Sequence, residues 1–338
     1  MKTIALIHTG GTISMVENKQ TGEVTTTNKH PMTNLTDQYK SIANVDEYIP
    51  FSLPSPQITP NHMLQLADKI NALSDKYDGF VITHGTDTLE ETAYFLDLTT
   101  NIRKPVIITG AMRSTNEIGS DALYNLISSL RTATSPEAWD KGVLVVMNDE
   151  IHTARNVTKT STSNVATFQS PQNGPIGMIT KESIIFHHTI LERHTHPVHH
   201  ISKNVLLLKA YSGMDMGILD ALKQAEPDGL VIEGLGEGNL PKDTLTPLEQ
   251  FIADGVPVIL VSRCYQGIVQ PTYGYVGGGR QLKELGVIFA NGLTGPKARI
   301  KLLIALEKTN NPDMLKTYSK TFIDINAARL RKATPHII

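Results

Sequence analysis

Three features of the sequence predict an α/β fold in which parallel β-sheets are divided between two domains. Short apolar runs rich in Val, Ile and Leu recur along the chain, as expected of strands buried on both faces of a parallel sheet. Helical patterns lie between these runs, and alternation of strand with helix is typical of α/β proteins. The length of 338 residues exceeds the roughly 250 residues at which single cores stop growing, which favours two domains.

The strands and helices are predicted from the spacing of apolar residues. Eight runs are clear enough to be predicted as strands, namely residues 3–9, 79–84, 105–109, 142–147, 204–210, 229–232, 257–262 and 286–290. Three segments have apolar residues at helical spacing, and we expect these helices to lie on both sides of the sheets. Their apolar faces consist of Met63, Leu66, Ala67, Ile70 and Leu73, of Leu123, Ile127 and Leu130, and of Leu302, Ala305 and Leu306. Two helix starts fit the capping-box pattern, Thr88 with Glu91 and Thr246 with Glu249, and in the second Pro247 would occupy the first helical position.

The domain boundary is predicted in a histidine-rich stretch. Residues from about 186 to 202 show neither strand nor helix periodicity and contain six histidines together with Pro197. We therefore expect an N-terminal domain at 1–188, a linker at 189–203 and a C-terminal domain at 204–338. A zinc site built from these histidines is a weaker alternative, because they lack a defined ligand spacing; no metal and no cofactor are expected.

Composition and charge argue against several classes of partner. The formal net charge is −2, with basic and acidic residues interspersed, so nothing indicates nucleic-acid binding. No run approaches the roughly 20 apolar residues of a membrane span. The first apolar run ends at His8, too short for the roughly 7 to 15 residues of a signal-peptide core, and the single cysteine, Cys264, permits no intrachain disulfide. We therefore expect a cytoplasmic protein.

Ligands bind outside the carboxyl ends of the strands in open parallel sheets, so the loops after the strands are the first place to look for a site. The loop after residues 3–9 contains Gly10 and Gly11, which allow a sharp turn and close approach to a ligand, and it leaves the Thr12 hydroxyl at its mouth. A turn with a capping threonine is an equal alternative. A dinucleotide-binding turn fits less well, because the third glycine of that fingerprint is absent.

Two further loops carry candidate residues. The loop after residues 79–84 places Thr86 and Asp87 beside a helix start, where the helix dipole favours an ionised carboxylate and free N–H groups can bind an oxyanion. Asp87 could equally serve only to complement the helix charge. The loop after residues 105–109 offers Gly110 and Ala111, whose small size suits either a pocket wall or a simple turn.

Lys159 is the fourth candidate, in a connection rich in hydroxyl and amide side chains at residues 154–162. A lysine that acts as a base must have its pKa lowered by burial or nearby positive charge, whereas one held beside Asp87 would stay charged until a substrate arrives. A solvated surface lysine is the alternative.

Three segments taken together resemble the bacterial L-asparaginases. They are IHTGGTI at 7–13, GFVITHGTDT at 79–88 and VTKT at 157–160. The first two are similar to the two signature motifs of that family in order and spacing, and the similarity extends from residue 1 to about 330. Residues 157–176 are more similar to the secreted-type branch, although the short first apolar run leads us to expect a form without that branch's leader peptide.

The resemblance implies a larger N-terminal domain, a smaller C-terminal domain, and a homotetramer of intimate dimers with each active site between two subunits. It implies that Thr12 is the nucleophile that attacks the side-chain amide of L-asparagine, forming a β-aspartyl ester that water hydrolyses to L-aspartate. Thr86, Lys159 and Asp87 match a second triad in which the threonine is linked to the lysine and the aspartate meets the substrate α-amino group.

The chemistry of these residues agrees with that expectation. A hydroxyl is a poor nucleophile near neutral pH and requires a base and donors for the oxyanion, which Thr86, Lys159 and the backbone around Ala111 could supply. Asp87 suits the substrate ammonium, and Ser55 with the backbone near Gly85 suits its carboxylate. The expected substrate contacts besides Thr86 and Asp87 are Gly11, Ser55, Ala111 and Asn239.

Two departures from the family pattern stand out. The secreted branch carries a tyrosine in the loop after the nucleophile, as part of the group that activates it, but residues 14–34 contain none and Tyr39 is the nearest downstream. The activator of Thr12 is therefore left open. Pro56 replaces a more polar family residue after Ser55, which removes one N–H donor.

Alternative functions are kept open. Glutamine is a possible weaker substrate. The amidotransferase subunit that deamidates glutamine for tRNA-bound substrates also resembles asparaginase, but it carries an additional N-terminal domain, whereas Thr12 here follows the first strand directly. A non-enzymatic sensor would bind asparagine without releasing ammonia.

Overall fold

The computed structural model describes residues 1–18, 20–26, 39–190 and 193–309. The chain separates into two compact units, Met1–His199 and His200–Ile338, called here the N-terminal and C-terminal units. Parts of the tyrosine-free loop (residues 19 and 27–34), of the predicted linker (191–192) and of the predicted C-terminal domain (310–338) lie outside the described residues.

The N-terminal unit contains twelve described strands and three described α-helices. The strands are β1 (Thr3–His8), β2 (Met15–Glu17), β3 (Val24–Thr26), β4 (Asn44–Tyr48), β5 (Gly79–Thr83), β6 (Val106–Thr109), β7 (Val143–Met147), β8 (Glu150–Thr153), β9 (Thr158–Lys159), β10 (Phe168–Gln169), β11 (Gly177–Ile179) and β12 (Ile184–Phe186). The helices are α1 (Pro60–Leu73), α2 (Leu89–Thr99) and α3 (Ala122–Thr134).

The main sheet of this unit has eight strands in the order β12-β11-β8-β7-β6-β5-β1-β4. The five strands from β4 to β7 run parallel, as the sequence predicts, whereas β8, β11 and β12 extend the sheet in antiparallel fashion. The direction reverses at Asn148 and Asp149, whose φ angles of 49° and 64° form a left-handed two-residue turn that matches the twist of a hairpin.

Both faces of the sheet are buried, which explains the continuous apolar runs. Ile4 and Leu6 pack in one cluster with Leu126 and Leu130 of α3, while alternate residues such as Ile7, also fully buried, point to the opposite face. Helices α1 and α2 pack on each other, and α2 contacts β6 and β7. The larger sheet thus has an apolar core and carries its connecting loops at the strand ends.

The C-terminal unit is a smaller α/β layer. Its strands β13 (Val205–Lys209), β14 (Gly229–Gly234), β15 (Val258–Ser262) and β16 (Ile288–Phe289) form a parallel sheet in sequential order. Its helices are α4 (Met216–Lys223), α5 (Leu245–Ala253), α6 (Gly279–Leu285) and α7 (Gly295–Lys308). No helix in the described parts of the chain is both long and apolar enough to cross a membrane.

The structure confirms all eight predicted strands, but neither predicted capping box. Thr88 does precede α2, yet its hydroxyl donates to the Ser55 carbonyl at 2.8 Å instead of capping the helix. Helix α5 begins at Leu245 with Thr244 as its N-cap, so Thr246 and Pro247 lie inside the helix. The short 3-10 helix Lys242–Thr244 leads directly into α5, so the observed N-cap, Thr244, lies two residues ahead of the predicted one.

Candidate active site

Three of the predicted site loops meet at one edge of the N-terminal sheet. They follow β1, β5 and β6, which are adjacent and parallel, so their carboxyl ends lie side by side. The shared position of these loops therefore follows directly from the observed strand order.

The loop that carries Thr12 packs directly on the next loop. Gly10 and Gly11 have φ angles of 106° and 81°, and a Cβ added to Gly11 would lie 2.2 Å from the Gly85 Cα. The Thr9 N–H and hydroxyl both donate to the Thr83 carbonyl, at 3.0 and 2.9 Å. Thr12, half-buried, then opens the 3-10 helix Thr12–Ser14.

Lys159 joins the two functional side chains of the second loop. Its Nζ donates to Thr86 Oγ1 at 2.9 Å and to Asp87 Oδ1 at 2.7 Å. Thr86 is buried, the Lys159 side chain is 16% exposed, and the Asp87 side chain is 58% exposed. Since ion pairs with one exposed partner stabilise the fold by about 1 kcal/mol or less, the arrangement is better understood as a means of orienting the lysine.

The backbone of the second loop is fixed by a buried histidine. His84 Nδ1 lies 2.7 Å from the Gly85 carbonyl, which can only accept, so Nδ1 carries the proton. Its Nε2 consequently accepts from the Thr92 hydroxyl at 2.9 Å. Complete burial lowers the pKa of His84 to about 4, because removing the ring from water disfavours the charged form. The neutral ring therefore holds the backbone that leads to Thr86.

Ser55 supports the same loop from the connection after β4. It begins the 3-10 helix Ser55–Gln57, its Oγ accepts the Asp87 N–H at 3.1 Å, and its carbonyl accepts from Thr88. Its hydroxyl proton is left to be donated elsewhere. Pro56 lies in the first turn of this short helix, where a missing N–H costs least.

The third loop lies beside Thr86. A Cβ on Gly110 would lie 2.6 Å from the His84 carbonyl oxygen and 3.2 Å from Thr86 Cγ2. Asp121, at the start of α3, accepts the backbone N–H groups of Met112 and Arg113 at 3.0–3.1 Å. The segment around Ala111 is therefore anchored by Asp121.

A methionine completes the anchoring of this third loop. The sulfur of Met147, at the end of β7, accepts the Gly110 N–H at 3.3 Å. The Asn125 side-chain amide donates to the Gly110 carbonyl at 3.1 Å and to Asp121 Oδ2 at 2.9 Å, while the Thr109 hydroxyl donates to the Val146 carbonyl at 2.7 Å. A thioether is a weak acceptor, but here it receives a backbone N–H in a buried position.

Two further residues considered from the sequence, Asn239 and Tyr39, lie outside these three loops. Asn239 lies in the C-terminal unit, where its Oδ1 accepts the Gly279 N–H at 3.2 Å and it lines a cleft of about 540 Å³ that includes Arg263. Tyr39 is buried in the core of the N-terminal unit, and its hydroxyl donates to Glu47 Oε1 at 2.9 Å. No group of three or more metal-ligating side chains occurs among the described residues.

The residues that sequence reasoning missed are those that hold other residues in place. His84, Glu90, Asp121, Asn125 and Met147 all bond to backbone or side chains of the three loops or of β9. The sequence gives a reason to consider two of them, because His84 lies inside a family motif and Asp121 precedes a predicted helix. It gives no indication of the contacts made by Met147 and Glu90, because their partners are 37 and 68 residues away in sequence.

Comparison with known proteins finds matches to both units of the chain. The sequence model described as "Asparaginase, N-terminal" matches residues 3–192, and that described as "Glutaminase/Asparaginase C-terminal domain" matches residues 204–318.

Individual relatives cover both units. The probable L-asparaginase of Deinococcus radiodurans is 41% identical over 308 residues, 90% of this chain and 92% of the relative. L-asparaginase 2 of Escherichia coli is 37% identical over 331 residues, 93% and 92% of the two chains. The crystal structure of a probable cytoplasmic L-asparaginase from Campylobacter jejuni superimposes with a TM-score of 0.83 at 32% identity, covering 94% of this chain and 99% of that one. The chain belongs to the asparaginase family.

Proposed function

We propose that this chain hydrolyses L-asparagine to L-aspartate and ammonia through an ester formed on Thr12. The observation that carries the proposal is the Thr86–Lys159–Asp87 cluster at the sheet edge where the Thr12 loop packs on Gly85. Membership of the asparaginase family, and the L-asparaginases among its relatives, support asparagine as the substrate.

Substrate recognition would use the two charged ends of the amino acid. The Asp87 carboxylate gives Oδ1 to Lys159 and is more than half exposed, so it can accept from the α-ammonium group. The α-carboxylate would be bound by the Ser55 hydroxyl and by backbone N–H groups near Gly11 and Gly85, close to the positive end of α2. Asn239 is proposed as a further contact.

The first chemical step would form the ester. The Thr12 oxygen attacks the side-chain amide carbon, its proton passes to the amide nitrogen, and the carbon–nitrogen bond breaks to release ammonia. Donors aimed at the oxyanion lower the barrier most, and the anchored backbone at Ala111 is proposed for that role. Fixing this backbone in advance avoids reorganisation during the reaction.

The second step would regenerate the enzyme. Water attacks the β-aspartyl ester, the ester oxygen of Thr12 regains a proton, and aspartate leaves. The Thr86 hydroxyl, hydrogen-bonded to Lys159, is proposed to orient this water and move its proton. Positioned acid–base groups of this kind contribute about 10² to 10⁴ in rate.

The resemblance to the family also supports a cytoplasmic homotetramer as the working form. The Campylobacter relative is described as a probable cytoplasmic enzyme. Light scattering of the purified chain would test the assembly, and a monomer that is fully active would overturn it.

An ammonia-release assay tests the proposed function. The wild-type chain should release ammonia and aspartate from asparagine, and Thr12→Ala should abolish turnover yet still bind asparagine in calorimetry. Thr180→Ala, which removes a hydroxyl from the turn between β11 and β12, is the control and should keep normal activity. Binding without ammonia release by the wild type would instead favour a sensor, and near-normal activity of Thr12→Ala would refute the nucleophile.

A further inference from the structure

We infer that Glu90 is a positioning residue that sets Lys159 onto Thr86 by accepting from the Lys159 backbone N–H and from the side-chain hydroxyl of the neighbouring Thr158. Glu90 lies in the first turn of α2, and its Oε1 accepts the Thr158 hydroxyl at 3.0 Å and the Lys159 N–H at 3.4 Å. The inference rests on the proposed function, because the position of Lys159 affects the reaction only if Lys159 takes part in it.

Lys159 needs such a support because its own strand is short. The Lys159 hairpin, defined as β9 and β10 with residues 160–167 between them, pairs only Lys159 with Phe168 and Thr158 with Gln169. Within it, the Thr160 N–H and hydroxyl both donate to the Thr167 carbonyl, each at 2.8 Å. These bonds lie within the hairpin, which is also held by its buried side chains Thr167 and Phe168, and none of them reaches α2.

The two bonds from Glu90 supply that missing link. Thr86 and Asp87 immediately precede α2, and Glu90 belongs to the first turn of the same helix. One rigid helix start therefore carries both the residues that Lys159 must reach and the carboxylate that holds the Lys159 backbone. The result is a fixed starting point for the Lys159 side chain, so that no further backbone freedom is lost when Nζ reaches Thr86 Oγ1.

Burial makes the link effective. Thr158 is 5% exposed, so water competes poorly for its hydroxyl, and hydrogen bonds to a charged acceptor are the stronger kind. The bonds from Glu90 go to the Lys159 backbone N–H and to the Thr158 hydroxyl, so we infer that Glu90 acts on the reaction through the position of the backbone, unlike Thr86 and Asp87, which bond Lys159 Nζ.

The test compares two substitutions of Glu90 in the full-length chain. Glu90→Ala removes the acceptor, and kcat for asparagine should fall about 10- to 100-fold, the scale on which a misplacement of about 1 Å acts. Glu90→Gln keeps an acceptor oxygen and should restore kcat to within about threefold of wild type. KM should change by less than about threefold in both, because the substrate contacts are not altered.

A second variant separates positioning from a general loss of structure. Thr158→Val removes the donor with little change in volume, and it should lower kcat as Glu90→Ala does. The double variant Glu90→Ala/Thr158→Val should be no worse than the worse single variant, since both remove the same link. Thr160→Val, which removes a hydroxyl bond inside the hairpin, is the control and should keep kcat within about threefold.

The outcomes decide between the inference and the proposed function. Two results would overturn the inference: a kcat within about twofold of wild type for both Glu90→Ala and Thr158→Val, or additive losses in the double variant. If Lys159→Met is inactive in the same assay, these results leave the proposed function intact. Should Lys159→Met stay active, the role of Lys159 in the proposed function fails, and the role of Glu90 fails with it. If Glu90→Ala does not fold, Thr158→Val and Glu90→Gln carry the test.

Discussion

The site contains two kinds of support, and they differ in how they fix a side chain. The loops after β1, β5 and β6 lie at the ends of fully buried strands and are packed backbone against backbone, as at Gly11 and Gly85. The Lys159 hairpin has only a two-residue pairing and reaches the site through side-chain bonds to α2. Packed strand ends thus carry Thr12 and Thr86, whereas the contacts that aim Lys159 at these loops are polar side-chain bonds to α2 and to the loop before it. Substitutions should therefore disrupt the first region by steric clash and the second by loss of specific bonds.

The largest effect is expected where backbone packs on backbone. Gly11→Ala would place a Cβ 2.2 Å from the Gly85 Cα, which separates the two loops and should lower kcat/KM by about 100-fold or more. Gly174→Ala is a control for a substitution at positive φ, because Gly174 has a φ of 70° but no atom within 4 Å of an added Cβ. Gly11→Ala also carries backbone strain of its own, since its φ of 81° and ψ of −179° lie in a region that is essentially limited to glycine, and thermal melting of both variants reports the loss of stability beside the loss of activity. Equal activities in the two variants would contradict the packing argument.

The next effect concerns the polar support. Lys159→Met removes the ammonium that bonds Thr86 and Asp87 and should cut kcat by about 10² or more. Asp87→Ala should raise KM as well as lower kcat, because Asp87 is proposed to bind the substrate ammonium. Steady-state kinetics with asparagine distinguish the two patterns, and a Lys159→Met variant changed only in KM would reverse the assignment.

A smaller effect is expected at the third loop. Met147→Leu keeps an apolar side chain of similar size but removes the acceptor for the Gly110 N–H, so kcat should fall about 3- to 10-fold as the Ala111 backbone loosens. Met63→Leu, at a buried position on α1, makes the same chemical change away from these loops. If both variants lower kcat equally, the sulfur has no special role.

The smallest effect should appear as a dependence of stability on pH. The pKa of His84 is about 4 in the folded chain against an ordinary value of 6.5, so the unfolded chain takes up the proton first. The contribution of neutral His84 to stability is therefore complete above pH 6.5, declines as the pH falls towards 4, and is constant below that. Melting temperatures of the wild type and His84→Gln should show a smaller slope for the variant across this window. Equal slopes of melting temperature against pH in the two proteins would mean that folding does not lower the pKa of His84.

The same contrast explains which features could be predicted from sequence. Strands such as β1 and β5 are recognisable in the sequence as continuous apolar runs, because both of their faces are buried. The residues that follow these runs are predicted as site residues, because ligands bind at the carboxyl ends of parallel strands. The antiparallel extension by β8, β11 and β12 was not predicted, because these strands have three or four residues and lack a clear apolar run.

Contacts between distant residues were harder to predict. The link from Lys159 to Thr86 spans 73 residues, and the resemblance to a known family suggested it where spacing could not. Thr88 shows the same limit, since its hydroxyl bonds Ser55, a partner that the capping pattern does not include. Met147 and Glu90 act on loops that only the folded sheet brings near them.

The central claim, that Thr12 becomes covalently attached to the substrate, can be tested directly by rapid acid quench and mass spectrometry. Wild-type protein mixed with asparagine and quenched within one turnover should carry a β-aspartyl group on the peptide containing Thr12. Lys159→Met should accumulate more of this adduct if the lysine serves the second step. An adduct on the Thr86 peptide instead, or none on any peptide while ammonia is released, would contradict the account.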